Sequence, residues 1–233
     1  MKKIGIILFL ATLAIGLVVS NLFSFGKEAS KFFNFSFSVG SVKGSGQTAL
    51  EVRDIAGFHA IDVGGVFEVK ITAQKDFAVE VEADDNLLPL IRTEVRNGVL
   101  RIETDRKLST SNPIRIRVSA PDIDDLDISG AANITVENVK NSELNVDSSG
   151  ASKIKITGET AKLTVDVSGA TKVDAGKLVV ENATVEAGGA SQVTVQVSGE
   201  LRTKASGASR INYSGTPTNV INRTTGAASV TGN

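Results

Sequence analysis

The chain has 233 residues, with 25 Lys and Arg against 26 Asp and Glu, a single His and no Cys. That balance offers no basic footprint for nucleic acid. The missing cysteine excludes disulfides, thiolate metal sites, a cysteine nucleophile and a lipid-modified cysteine anchor. A length of this order holds one large domain or two small ones.

Lys2 and Lys3 precede an apolar run from Ile4 to Val19, which ends at Ser20-Asn21. A charged start followed by such a run is the pattern of an export signal, with Val18-Val19-Ser20 as a cleavage site. Continued through Leu22, Phe23 and Phe25, the run nears the roughly 20 residues that span a bilayer, so residues 1–25 read equally well as a retained membrane anchor. Both readings export the rest of the chain to the cell envelope, in the periplasm or at the surface.

Six of the ten phenylalanines fall between Phe23 and Phe37, and Phe33, Phe35 and Phe37 alternate with polar residues. One face of a strand there is wholly aromatic, which suits a membrane-interface or partner-binding element. The reading favoured here is a strand that caps the end of a β-structure. Gly40 to Thr48, rich in Gly and Ser, reads as a flexible linker that closes a segment over residues 26–49.

From Leu50 to Val118 the chain keeps strand alternation, as in Phe67-Glu68-Val69-Lys70-Ile71 and Ala78-Val79-Glu80-Val81-Glu82. Asp84 to Ile91 reads as one helical turn stopped near Pro89. Asn97-Gly98, set between Val95 and Val99-Leu100-Arg101-Ile102, predicts a hairpin turn. This half is expected to be an irregular, partly antiparallel lead-in.

Beyond it a short phrase returns: Ser129-Gly130-Ala131, Ser149-Gly150-Ala151, Ser168-Gly169-Ala170, Gly188-Gly189-Ala190, Ser206-Gly207-Ala208 and Thr225-Gly226-Ala227. Successive glycines at 130, 150, 169, 189, 207 and 226 give steps of 20, 19, 20, 18 and 19 residues. So steady a period predicts a solenoid, each repeat burying its apolar face on its neighbours. Val63-Gly64-Gly65-Val66 looks like a degenerate first copy.

Two, four and six residues before each glycine stand mostly apolar or small residues, such as Leu163, Val165 and Val167. Four and six residues after it stand pairs such as Ile154 and Ile156. Period two on both flanks is the mark of strands with one face on a core. Dense Gly, Ser, Thr and Val exclude a run of helices, and the leucine-asparagine phrase of leucine-rich repeats is absent. The chain is therefore expected to be all-β, a parallel β-helix with rungs of about 19–20 residues over a single domain at 50–233.

Three residues before the glycines, on the outward parity, stand Asp127, Asp147, Asp166 and Glu186, followed by Lys204 and Arg223. Stacking places the four carboxylates about 5 Å apart, near the 5 to 5.5 Å of retaining glycosidases. Such a column also suits a hard cation. The reading adopted is a solvated face whose acids pair with basic neighbours, and the acids are held as a candidate binding column. Three residues after the glycines runs a second outward column: Asn133, Lys153, Lys172, Gln192 and Arg210.

Asp122-Ile123-Asp124-Asp125-Leu126-Asp127 lacks the order of an EF-hand loop and reads as a solvated strand edge. The serines before the glycines read as a hydrogen-bonded ladder at the corners. His59, being alone, cannot build a multi-imidazole metal site within one chain, and no Gly-x-Ser-x-Gly elbow accompanies it. Walker and dinucleotide fingerprints are also missing. No catalytic residue, cofactor or metal is therefore expected.

The segment Phe58-His59-Ala60-Ile61-Asp62-Val63-Gly64-Gly65, then Asn97-Gly98-Val99-Leu100-Arg101-Ile102, then Pro121 through Leu126-Asp127-Ile128-Ser129-Gly130-Ala131, resembles a bacterial domain of unknown function, the head GIN domain of the auto-transporter adhesin family. The resemblance runs from about Phe58 to about Tyr213. It implies a right-handed parallel β-helix and an envelope or surface location. The resulting expectation is a non-enzymatic binding or adhesion module, with a polysaccharide or envelope protein as partner and membrane contact through the N-terminal segment. A polysaccharide-active β-helix enzyme and a periplasmic scaffold are the alternatives.

Overall fold

The computed structural model describes residues 40–233. The signal or anchor and the Phe-rich strand expected in residues 1–39 lie outside the described residues. Ser41–Asn233 forms one compact unit. Its lead-in holds β1 (Val42–Lys43), β2 (Thr48–Arg53), β3 (Ala60–Gly65), β4 (Glu68–Thr72) and β5 (Ala78–Asp84), then β6 (Ile91–Arg96), β7 (Val99–Thr104), β8 (Leu108–Ser109) and β9 (Arg115–Ser119). The repeats follow as β10 (Asp125–Gly130), β11 (Asn133–Gly150), β12 (Lys153–Gly169), β13 (Lys172–Ala187), β14 (Gln192–Val197), β15 (Glu200–Ala205), β16 (Arg210–Gly215), β17 (Asn219–Thr224) and β18 (Ser229–Gly232). They stack in parallel as a β-solenoid of about five turns.

The corner phrase sets the register. Gly65 pairs with Gly130, Gly130 with Gly150, and Gly150 with Gly169, so the degenerate first copy is a true rung. At the corners each glycine carbonyl accepts the N–H of the alanine one rung on, as in Ala151 to Gly130 at 2.8 Å and Ala170 to Gly150 at 2.7 Å. Gly150 sits at φ +124°, and a Cβ there would lie 2.2 Å from the Gly130 carbonyl oxygen. Only a residue without a Cβ lets the backbones stack this closely.

Inside the coil the apolar positions form columns. Leu126, Val146, Val165 and Val185 are buried one above another, as are Ile134, Ile154, Val173, Val193 and Ile211. Each such side chain contributes on the order of 2 kcal/mol by burial. The long strands bend again beyond the second flank, where Asn138 has φ +62° and the register shifts between Val136 and Val139. Three sides result: one before the glycine corner, one after it, and a short third run through Val139–Glu143.

The N-terminal end is closed by antiparallel strands, as expected from the irregular half. β5 pairs antiparallel with both β9 and β2, and β6 pairs antiparallel with β7 through Asn97 at φ +53° and Gly98 at φ +79°. Leu88–Leu90 forms the expected single turn around Pro89, as 3-10 helix.

The flexible linker expected over Gly40–Thr48 is instead tied down. Val42 pairs with Leu108, Asn86 Nδ2 donates to the Lys43 carbonyl at 2.9 Å, and the Ser45 N–H donates to Asn86 Oδ1 at 2.9 Å. Small residues let this strand pass close to Asp84: a Cβ on Gly44 would collide with that carboxylate. Asp84 itself is buried and accepts hydrogen bonds from Thr110 Oγ1 at 2.8 Å and Asn112 Nδ2 at 2.6 Å. Those two donors hold its pKa below the ordinary carboxylate value.

Candidate functional site: two charged columns beside the glycine corner

Strand register brings all four acidic candidates together. Asp127 lies beside Asp147, Asp147 beside Asp166, and Asp166 beside Glu186; Lys204 and Arg223 follow in turn. Neighbouring strands set these side chains about 4.8 Å apart. The column also extends the other way, since Asp62 opposes Asp127 and Arg101 opposes Asp62. Sequence reasoning missed both residues. Asp62 could have been found by counting three back from Gly65, whereas Arg101 arrives through a hairpin that the period does not describe.

Among the described residues the column is paired at two points. Arg101 Nε reaches Asp62 at 2.9 Å and Lys204 Nζ reaches Glu186 at 2.7 Å. Asp127, Asp147 and Asp166 are exposed and, among the described residues, have no basic partner within 4.0 Å. The expected pairing with basic neighbours therefore fails for the middle three acids, because the basic residues of their own rungs lie on the next side, around the corner.

Loss of water contact against the sheet raises the pKa of Asp127, reinforced by Asp62 and opposed by Arg101. Asp147 is raised by the same desolvation, then by Asp166 and Asp127. Asp125, two residues before Asp127 on the same side, is raised by desolvation, then by Asp147, Asp124 and Asp127.

Across the corner the second column is also continuous: Arg115, Glu68, Asn133, Lys153, Lys172, Gln192, Arg210 and Ser229. Its first members are neutralised, with Arg115 reaching Glu68 at 3.3 Å and Glu82 at 2.8 Å. Lys153, Lys172 and Arg210 are the reverse of the three free acids: among the described residues no carboxylate stands within 4.0 Å of them. The third side is internally paired, through Lys140 with Glu159 at 3.2 Å and Lys162 with Glu143 at 2.7 Å. Over the rungs of Gly130 to Gly169 the first column is thus acidic, the second carries free cations, and ion pairs join neighbouring rungs on the third side.

Two expectations are corrected at this corner. The serines before the glycines do not form its hydroxyl ladder; Ser129, Ser149 and Ser168 are exposed because one residue before the glycine is an outward position. The bonded hydroxyls sit two residues after the glycine, where the chain turns inward. Ser191 Oγ donates to the Gly188 carbonyl at 2.8 Å, Ser209 Oγ to the Ala187 carbonyl at 2.9 Å and Thr171 Oγ1 to the Ser168 carbonyl at 3.2 Å. Likewise Asp122–Asp127 is not a sheet edge: β10 is an interior strand paired on both sides by β3 and β11. Leu126 and Ile128 point inward there and Asp125 and Asp127 outward.

His59 Nδ1 lies 2.8 Å from Asp124 Oδ1 in the open. The hydrogen bond and charge of Asp124 raise its pKa. Among the described residues no group of three His, Asp or Glu is placed to hold a metal ion, and no helix is long and apolar enough to cross a membrane. A cleft of about 780 Å³ opens beside the first corner, lined by Val66, Phe67, Lys107, Leu108, Asn112 and Ile114 among others; none of the acidic column lines it.

Stacked parallel coils closed at one end by antiparallel strands define the molecule as a β-solenoid. The chain belongs to the family described as "Putative auto-transporter adhesin, head GIN domain", which matches residues 57–217. Among solved structures it is similar to a putative adhesin from Bacteroides fragilis NCTC 9343, at 18% identity and TM-score 0.68, covering 83% of this chain and 100% of that one. A putative adhesin from Parabacteroides distasonis ATCC 8503 matches at 20% identity and TM-score 0.52, covering 83% and 100%. A protein of the same organism described as "Putative lipid binding protein" matches at 16% and 0.50, covering 83% and 99%. At these identities the likeness shows the fold. No curated protein matches the chain.

Proposed function

We propose that the protein is a non-enzymatic binding module of the cell envelope, exported by its N-terminal segment, which engages its partner along the flat charged sides of the solenoid. The observation that carries this reading is the run of exposed, internally unpaired carboxylates Asp127, Asp147 and Asp166, in register on one side. A flat ladder binds through many weak contacts that repeat at the rung spacing. A glycosidase pair, by contrast, acts on a bond that is positioned between its two carboxyls, and the cleft beside the first corner does not reach these acids.

The test is to pass residues 40–233 over immobilised bacterial and host polysaccharides, scoring retention and new chain ends in the same wells. Retention that weakens in Asp147→Asn/Asp166→Asn supports the reading. New chain ends make the protein an enzyme. Protease shaving of intact cells checks the location, and a protein untouched at the surface points to the periplasm.

The cleft beside the first corner favours a second reading, an amphiphile held by Val66, Phe67, Leu108 and Ile114 with Lys107 at the rim; apolar walls with a few polar groups are the usual make-up of such sites. The description of one structural neighbour as lipid binding points the same way. Displacement of a fluorescent fatty acid that is lost in Val66→Asp would support it.

A further inference from the structure

We infer that the partner of the acidic side is the basic side of a second copy of this chain, laid alongside with its solenoid axis parallel and displaced by one rung. This deepens the reading above and rests on it. A rigid partner for Asp127, Asp147 and Asp166 must present cations at the rung spacing, about 4.8 Å, over several rungs. The second column of the same coil has that pitch and twist by construction. That column carries the free cations Lys153, Lys172 and Arg210.

The register follows from the order of charges along the two columns. With axes parallel and rungs level, Asp62 meets Glu68, Lys204 meets Arg210 and Arg101 meets Arg115, three like-charge contacts among rungs fixed by the corner register. Displacing one copy along the axis by a single rung opposes Arg101 to Glu68, Asp62 to Asn133, Asp127 to Lys153, Asp147 to Lys172, Asp166 to Gln192, Glu186 to Arg210 and Lys204 to Ser229. Four of these seven contacts are ion pairs, two set a carboxylate against an amide, and none joins like charges. Turning one copy end over end about the rungs of Gly150 and Gly169 gives as many ion pairs but leaves Arg223 against Arg115.

The contact joins two different surfaces, so the bound pair keeps one basic side free on one copy and one acidic side free on the other, and further copies can add. The pairs are solvent-exposed, so the association weakens with salt.

Ser41–Asn233 has its own core and cap, so residues 40–233 suffice for the test. Sedimentation equilibrium at about 20 mM and about 500 mM salt, which differ severalfold in screening length, is expected to show mass rising with concentration at low salt and monomer at high salt. Asp127→Lys/Asp147→Lys and Lys153→Glu/Lys172→Glu are each expected to be monomeric alone and to associate when mixed, which also shows that both are folded. Because the chain has no cysteine, Asp127→Cys and Lys153→Cys single variants mixed under oxidation should cross-link, whereas Asp127→Cys with Gln192→Cys should not. Monomer at every concentration in low salt overturns the inference, as does association that survives the charge reversals or the opposite cross-linking pattern. Retention of such a monomer on the polysaccharide panel leaves the binding-module reading standing, so the two fail separately.

Discussion

Replacing Gly150 by alanine tests how tightly the corners stack. The new Cβ would lie 2.2 Å from the Gly130 carbonyl oxygen, the same oxygen that accepts the Ala151 N–H at 2.8 Å. Three costs add. Holding an L residue at φ +124° strains the backbone by about 1–2 kcal/mol. Displacing the carbonyl sacrifices a ladder bond of about 1 kcal/mol net. Moving the rung disturbs the packing on both flanks. Because the corner is exposed, the freed groups regain water, and the sum is held to about 3–4 kcal/mol.

Gly57 is the control: its φ is +79° but nothing lies within 4 Å of an added Cβ. Gly57→Ala should therefore cost only the strain, about 1 kcal/mol. Urea unfolding of residues 40–233, followed by β-sheet circular dichroism, gives both values. With a slope of about 2 kcal/mol/M, the midpoint of Gly150→Ala should fall about 1 M below that of Gly57→Ala. If the two variants unfold within about 0.3 M of each other, close rung contact is not why the corner is glycine.

Three further outcomes follow from the charges. Asp147→Asn removes a like-charge neighbour from Asp127 and Asp166, so at pH 7 it should stabilise by about 0.5 kcal/mol. A raised carboxyl pKa favours the folded state when protonated, so this gain should vanish as pH is lowered through the carboxylate range, and urea midpoints against pH check it. Asp84 behaves in the opposite sense: its lowered pKa contributes stability above the unfolded carboxylate value that is lost on acidification through the folded one. Asp84→Ala should flatten that acid limb and loosen Thr110 and Asn112, seen as faster amide exchange in residues 104–114. The raised pKa of His59 contributes stability that is complete below its unfolded value of about 6.5 and is lost as pH rises through the folded one. A proton NMR titration should find the pKa dropping toward the ordinary value in Asp124→Asn, and an unchanged titration would rule out the pair as its cause.

The repeats were legible because each rung restates one rule. A glycine fixes the corner, parity from it sends Val146 or Val165 inward and Asp147 or Asp166 outward, and the acidic column follows by counting. The reading strained where structure is specified by individual side chains. Gly40–Thr48 has the composition of a linker, yet Asp84, Asn86 and Leu108 hold it, and those partners lie 40 or more residues away in no periodic relation. Asp62 and Asp127 are neighbours although the whole lead-in from Val66 to Asp124 runs between them. The hydroxyl ladder was placed on the wrong residue because Ser before and Ser after the glycine look alike in sequence. Only the turn of the backbone separates the outward position from the inward one.

The two ends of the solenoid have a mechanical consequence. Among the described residues β6 and β7, with β5 and β2, close the first rung, whereas β17 and β18 lie at the other end of the stack and pair on one side only. Every rung-to-rung hydrogen bond points along the axis, so tension applied between the chain ends loads these bonds in line and peels one rung at a time from the C-terminal side. Each rung lost, such as the 19 residues from Gly207 to Gly226, would pay out about 65 Å of extended chain. A load entering sideways through the charged columns would instead be shared among many rungs at once. Such a head would yield gradually when pulled from its end and resist when pulled from its flank.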